Sequence, residues 1–153
     1  SEVPFCGHAT IALGAALAMR QGDGVFPLVL NSANITVEGR RDGPTIAGAL
    51  QSPPTRSSVA DPSLVARALA LFGYVDLDLD ERIPPAIVEG GNTHLVLALC
   101  SRAKLSDMSY DIKVGQHLMN EAGLVTIILV HAASDRRFDV RNPFASGGVY
   151  EDP

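Results

Sequence analysis

The chain has 153 residues, 46% hydrophobic and 19% charged, with a net charge of −5. This length suits one domain or two small ones, and the apolar content provides for a packed core and excludes a disordered chain. The acidic balance argues against nucleic acid as a partner, because that partner needs clustered lysine and arginine. The longest apolar stretches are far shorter than the ~20 residues of a membrane span, so no membrane partner is expected.

The two cysteines, Cys6 and Cys100, do not make a disulfide framework, and a reducing cytoplasm is the expected compartment. Buried thiols are one interpretation of both residues. Cys6 also precedes a helix start, where a thiolate is favoured, so a nucleophilic or basic role is the alternative. No histidine has partners at ligand-like spacing, and we expect neither a metal nor a cofactor.

Three strands and a helix are predicted in the first part of the chain. Almost every residue of Thr10–Met19 is apolar or small, which predicts a helix buried on all sides. Asp42-Gly43 is a typical hairpin turn, and Ser52–Ser58 predicts a connecting loop. The predicted strands are Val25–Leu30, Ile35–Glu38 and Thr45–Leu50.

Helices and strands alternate in the rest of the chain. Asp61-Pro62 opens a helix that ends at Gly73, and Tyr110–Ala122 is a further helix. The nearly continuous apolar run Leu124–His131 predicts a strand buried on both faces. The other predicted strands are Ala86–Glu89, His94–Cys100 and Arg137–Arg141.

A strand, a turn and a helix start occur at Pro4–Thr10 and again at Val140–Pro153. This recurrence suggests two halves built on one plan. The chain begins without methionine and stops at Glu151-Asp152-Pro153, where Asp-Pro is a strong helix opening. We therefore expect a segment of a longer protein.

The first candidate site is Cys6-Gly7-His8-Ala9-Thr10, at the start of the apolar helix. The unpaired N–H groups and the dipole of a helix N-terminus favour a carboxylate or phosphate. Gly7 allows a ligand close to the backbone. His8 in that position can act as a neutral hydrogen-bonding or proton-shuttling group, although simple capping is the alternative.

Two further segments carry candidate residues. In Gly147–Pro153, Asp152 could cap a helix, orient a histidine or hold a substrate amine. In Gly90–His94, Asn92 could hold a ligand carboxylate, and the alternative is a turn asparagine in a left-handed conformation.

Together, Glu2–Thr10 and Asn142–Pro153 resemble the two hallmark motifs of the phenazine-biosynthesis PhzF-like isomerase family. The first segment reads Glu-Val-Pro-Phe-Cys-Gly-His-Ala-Thr, and the second contains Gly-Gly-Val-Tyr-Glu-Asp-Pro. The resemblance implies a diaminopimelate epimerase-like α+β fold with two pseudo-symmetric domains. Each domain has a curved mixed sheet or barrel around a central helix, and the active site lies in the cleft between the domains.

On this basis residues 1–44 are predicted to be the C-terminal part of a first epimerase-like domain whose N-terminal strands are missing. Residues 45–153 are predicted to be a second domain whose central helix would follow residue 153. The family's histidine falls on His8 and its aspartate on Asp152, which makes these two the predicted catalytic residues. The predicted substrate-binding residues are Gly7, Ala9, Thr10, Asn92 and Gly148.

The resemblance implies a cofactor-independent isomerase or epimerase that moves a proton on a small carboxylate-bearing metabolite. It also implies a homodimer. The family's main acid/base is a glutamate in a segment before the Gly-His motif, and Glu2 is too close to Gly7 to be that residue. A non-catalytic binding or scaffold module that keeps the fold but lacks this glutamate is therefore the alternative. Cys6 matches one thiol of the related two-cysteine epimerases, but no second thiol follows at the other helix start.

Overall fold

The computed structural model describes residues 5–31 and 33–152, which form two compact units. The first unit comprises Ser1–Thr55 with Gly90–Asn92, and the second comprises Arg56–Glu89 with Thr93–Pro153. The predicted boundary after residue 44 is too early. The strand that follows this position pairs with the strand before it, so both belong to the same sheet of the first unit.

The first unit is a helix packed on a three-stranded antiparallel sheet. Its sheet order is β1-β2-β3, and Gly43 adopts a left-handed φ of 59° in the turn that joins the last two strands. The predicted hairpin and all three predicted strands are confirmed, with β2 longer than expected. The elements are α1 (Gly7–Gln21), β1 (Gly24–Val29), β2 (Asn34–Asp42) and β3 (Thr45–Leu50).

Helix α1 is buried on one face only, at Thr10, Gly14 and Ala18. The prediction of a helix buried on all sides is therefore wrong for the described residues, because Leu13 is 43% and Met19 is 65% exposed. Small residues do explain the close contact with the sheet. A Cβ on Gly14 would lie 2.4 Å from Val37 Cγ2. The helix can therefore lie this close to β2 only because residue 14 has no side chain.

The second unit has a five-stranded sheet in the order β4-β5-β6-β7-β8, and only the β6–β7 pair is parallel. Two helices form the crossover that a parallel pair requires. The elements are β4 (Arg56–Val59), α2 (Pro62–Phe72), β5 (Ala86–Glu89), β6 (Thr93–Ala98), α3 (Arg102–Ser106), α4 (Ile112–Glu121), β7 (Thr126–Ser134) and β8 (Arg137–Arg141).

Two well-capped helices pack against the core face of this sheet. Asp61 accepts bonds from the amides of Ser63 and Leu64 at the start of α2, and Gly73 ends that helix in a left-handed conformation. Asp111 caps α4 in the same way. The fully buried core residues of the strands are Leu95, Leu97, Ile127 and Leu129.

The alternation of the strands places His94 and Thr126 on the face of the sheet opposite to that core. On this second face Ile128 and Val130 of β7 are only partly buried, so β7 is not buried on both faces along its length as predicted. The face also carries Val140 of β8, which is 52% exposed. The face of the sheet that carries His94 and Thr126 is polar at that end. The chain returns near this end at Asp152.

Two other sequence predictions differ from the structure, and a third lies partly outside the described residues. Residues 56–59 form strand β4 and not the predicted loop, because they pair with β5. Cys6 and Cys100 are both exposed, which makes the buried-thiol interpretation wrong. The predicted helix start at Asp152-Pro153 and the strand from Pro4 lie partly outside the described residues. Among the helices of residues 5–31 and 33–152, none has the length and apolar character for a membrane span.

Candidate functional site

The first unit contains a helix start whose amides are not capped by a side chain. Cys6 is the N-cap residue of α1 in an extended conformation, and it makes no side-chain cap bond. Thr10 donates both its amide and its hydroxyl to the Cys6 carbonyl, over 3.0 and 2.9 Å. The amides of Gly7, His8 and Ala9 precede this first helical bond, so they are available to an anion.

The entry to this helix is fixed by the turn between β5 and β6. Asn92 donates its Nδ2 amide to the Phe5 carbonyl over 2.7 Å. Gly91 has a φ of 95°, and a Cβ there would lie 2.7 Å from the Phe5 ring. Asn92 Oδ1 is buried and has no hydrogen-bond partner among the described residues. Asn92 therefore holds the backbone just before the helix start, and the left-handed conformation belongs to Gly91 and not to Asn92.

The second unit presents Asp152 beside a cavity of about 480 Å³ lined by Val140, Asn142, Glu151 and Asp152. Asn142 donates its Nδ2 amide to Asp152 Oδ2 over 3.4 Å, and its carbonyl accepts the Asp152 amide over 2.9 Å. Asn142 Oδ1 is buried and has no partner among the described residues. Among the described residues, the bond from Asn142 is the one side-chain bond that Asp152 makes, and it leaves the other carboxylate oxygen without a partner.

A histidine near Asp152 is the functional candidate that the sequence did not reveal. His94 Nδ1 and Thr126 Oγ1 share a hydrogen bond of 2.6 Å across the β6–β7 pair. Burial lowers the pKa of His94, and the nearby Asp152 carboxylate acts in the opposite direction. Burial thus favours the neutral imidazole, and the Asp152 carboxylate favours the charged form.

We expect Asp152→Asn to lower the pKa of His94 further, because the variant keeps the burial and removes the opposing charge. The measurement is a titration of the His94 ring signals by ¹H–¹⁵N NMR. Asp139→Asn is the control, since Asp139 is paired with Arg102 and is not among the groups that act on His94. An unchanged His94 pKa in Asp152→Asn would show that the two groups are not coupled.

The same shift predicts the direction of a stability effect. The folded His94 has a lower pKa than an unfolded histidine, so the unfolded state binds more protons at mildly acidic pH. The contribution of His94 to stability is therefore complete above the ordinary histidine pKa of about 6.5 and decreases as the pH falls through the lower folded value.

The structure separates the predicted site residues into two groups. Asn92 lies next to the α1 start, together with the predicted Gly7, His8, Ala9 and Thr10, in the first unit. Thr10 donates its hydroxyl to the Cys6 carbonyl, four residues back, and this bond within the helix caps none of the free amides. Asp152 lies in the second unit. Gly148 has a φ of 80° and is the residue directly after the single-turn 3-10 helix Ala145–Gly147. Its role in substrate binding stays a prediction.

The sequence missed Asn142, His94 and Thr126 as site residues. Asn142 stands in the quoted second motif, ten residues before Asp152, so its proximity to a hallmark residue was the available signal. His94 and Thr126 are 32 residues apart and meet only because two strands pair in parallel register. No spacing in the sequence indicates that pair.

These features define an α+β protein with the diaminopimelate epimerase-like fold, in which a helix packs on one sheet and the polar segment of Glu151 and Asp152 follows the other. The family model described as phenazine biosynthesis-like protein matches residues 1–153. The chain therefore belongs to the phenazine biosynthesis-like PhzC/PhzF family. Comparison with curated proteins gives no match.

Two solved structures show the similarity of fold. The chain is 16% identical to a PhzF-family phenazine biosynthesis protein from Bacillus anthracis, with a TM-score of 0.74, and covers 53% of that protein with 99% of its own length. It is 22% identical to a predicted epimerase from Pseudomonas aeruginosa, with a TM-score of 0.77 and the same two coverages. The chain thus spans about half the length of the structures it matches.

Proposed function

We propose that the protein is a cofactor-independent isomerase or epimerase that moves a proton on a small carboxylate-bearing metabolite. Family membership and the epimerase-like fold support the general class. The observation that carries the specific proposal is Asp152, whose carboxylate is oriented by Asn142 at one oxygen, leaves the other oxygen unbonded and borders a cavity.

In the proposed reaction an acid/base group removes a proton from a carbon beside an activating group. The electron pair is delocalised into that group, and the proton returns at another carbon or on the opposite face. Asp152 and His8 are the proposed proton-transfer and substrate-positioning residues. Positioned acid/base catalysis typically contributes about 10²–10⁴-fold to the rate. A glutamate of the family's preceding segment would do most of this transfer.

The uncapped amides of Gly7, His8 and Ala9 are the proposed binding group for the substrate carboxylate. Backbone N–H groups at a helix start lower the energy of a carboxylate, and they also stabilise negative charge that develops as the proton leaves. Asn92 supports this role because it fixes the backbone at Phe5, immediately before the helix.

The test is proton exchange with solvent by the protein expressed from its complete coding sequence. A panel of common L-amino acids and 2-hydroxy acids is incubated with the protein in D₂O, and loss of substrate C–H signals is followed by ¹H NMR. Binding is followed in parallel through the amide signals of residues 7–9. Exchange that depends on the protein supports the proposal.

Two other outcomes contradict it in different ways. Binding of a carboxylate without any exchange would support the alternative of a non-catalytic binding module. If the protein neither binds nor exchanges any member of the panel, a small amino or hydroxy acid is excluded as the substrate. His8→Ala then distinguishes a catalytic from a capping histidine. Loss of a catalytic histidine lowers the exchange of substrate C–H hydrogens and leaves the α1 amides protected from hydrogen exchange, whereas loss of a capping histidine reduces that protection.

A further inference from the structure

The two carboxylates that border the cavity, Glu151 and Asp152, have different surroundings. Glu151 Oε1 accepts Arg141 Nε over 3.0 Å and Glu151 Oε2 accepts Arg141 Nη2 over 2.5 Å. The amide of Asn142 also donates to Glu151 Oε1, over 3.3 Å. Asp152, by contrast, has one side-chain bond, the 3.4 Å contact from Asn142. Glu151 therefore accepts three hydrogen bonds, whereas the Asp152 carboxylate accepts one.

The electrostatics of the pair follow from these bonds. The Arg141 guanidinium lowers the pKa of Glu151 by hydrogen bonding, against the opposing effect of burial. Glu151 raises the pKa of Arg141 in return. Glu151 is therefore a poor proton acceptor at neutral pH, since protonation would cost the bidentate bond. The Arg141 guanidinium also compensates the negative charge of Glu151, which would otherwise repel both Asp152 and an anionic substrate.

The pair also fixes the backbone that carries Asp152. Glu151 pairs with Pro143 in an isolated antiparallel bridge, and the Asp152 amide donates to the Asn142 carbonyl over 2.9 Å. Arg141 is the last residue of β8, and its Nη1 donates over 3.0 Å to the Ser106 carbonyl at the end of α3. The guanidinium thus connects the returning segment to two elements of the unit.

The Arg141–Glu151 pair is better shielded than the other bidentate pair that joins two elements. Its side chains are 27% and 28% exposed, whereas those of Arg67 and Glu121, which join α2 and α4, are 46% and 52% exposed. Exposed ion pairs contribute little because water screens them, and partly buried ones constrain geometry more strongly. Arg67–Glu121 therefore serves as a matched control away from the cavity.

We propose that Arg141 and Glu151 are positioning residues, which withhold one carboxylate from the chemistry and hold the adjacent Asp152 in its reactive position. This inference rests on the proposed function for its catalytic part. Its structural part, the ordering of the Asp152 segment by the ion pair, stands independently of turnover.

The structural part is tested by amide hydrogen exchange of the protein expressed from its complete coding sequence. Arg141→Met and Glu151→Gln are expected to increase the exchange rate of the Asp152 amide, while Arg67→Met leaves that rate unchanged. The charge swap Arg141→Glu with Glu151→Arg should restore part of the protection. Unchanged protection in Arg141→Met and Glu151→Gln would overturn the proposal, even if the protein has no measurable turnover.

The catalytic part is tested by a double-mutant cycle with Asp152→Asn in the D₂O exchange assay. Arg141→Met is expected to lower kcat about 10- to 100-fold with little change in KM, because a small misplacement of a reacting group has an effect of this size. In the Asp152→Asn background the same substitution should have no further effect on kcat. An equal loss in both backgrounds would show a general structural role and refute action through Asp152.

Discussion

Asp152→Asn should lower kcat for proton exchange by about 10²-fold, the lower end of the about 10²–10⁴-fold that a positioned acid/base group contributes, because a glutamate is proposed to do most of the transfer. Asparagine keeps the size of the side chain and its place beside Asn142, but an amide does not accept a proton at neutral pH. The backbone bond from the Asp152 amide to the Asn142 carbonyl is unaffected by the change, so the segment remains ordered. The measurement is the rate of C–H loss in D₂O under saturating substrate.

The control for this variant is Asp139→Asn. Asp139 lies on β8, three residues before Asn142, and its carboxylate is paired with Arg102 over 2.8 Å. This substitution removes one negative charge from the same unit without touching the cavity lining, and kcat should change little. If Asp152→Asn retains the exchange rate of the unmodified protein, Asp152 is not a proton-transfer group.

Gly39→Ala should destabilise the first unit by about 3 kcal/mol or more, at the upper end of the usual cost of overpacking. A Cβ at this position would lie 2.1 Å from the Gly14 carbonyl oxygen and 2.8 Å from the Ala18 Cβ. The nearest group is helix backbone and not the end of a flexible side chain, so α1 must move away from β2. We expect reduced hydrogen-exchange protection across α1 and a lower urea midpoint for that unit.

Gly24→Ala is the matched control, because Gly24 is the cross-strand partner of Gly39 on β1. A Cβ on Gly24 would lie 3.5 Å from the Phe26 ring, which is ordinary van der Waals contact. This variant should keep the free energy of unfolding, measured by urea denaturation, within about 1 kcal/mol of that of the unmodified protein. Equal destabilisation by both alanines would show that strand glycines in general, and not the helix contact, govern the stability of this sheet.

The elements most accurately predicted from the sequence are those with strong local signals. Asp61 and Gly73 bound α2 as expected, since a carboxylate cap and a left-handed glycine act within a few residues of the helix ends. Asp42-Gly43 formed the predicted hairpin turn for the same reason. Strand β4 was missed because Arg56–Val59 is short, polar and exposed, and only its pairing with β5 makes it a strand.

The candidate site divides along the same line. Motif resemblance indicated His8 and Asp152. The apolar pattern predicted a helix over Thr10–Met19, and α1 begins three residues earlier, at Gly7. The bond between Asn92 and Phe5 spans 87 residues, and the one between His94 and Thr126 spans 32. Neither separation leaves a periodic signal, because contacts of this kind depend on which strands become neighbours in the folded chain.

The sequence by itself determined the family, the ends of α2, the hairpin turn at Asp42-Gly43 and the residue types of the two motifs. The tertiary structure decided which of these residues have free groups. It occupied the Thr10 hydroxyl within α1, paired Glu151 with Arg141, and left one Asp152 oxygen open. The physical reason is that hydrogen-bond saturation depends on distances between elements, whereas capping and turn preferences depend on the local backbone.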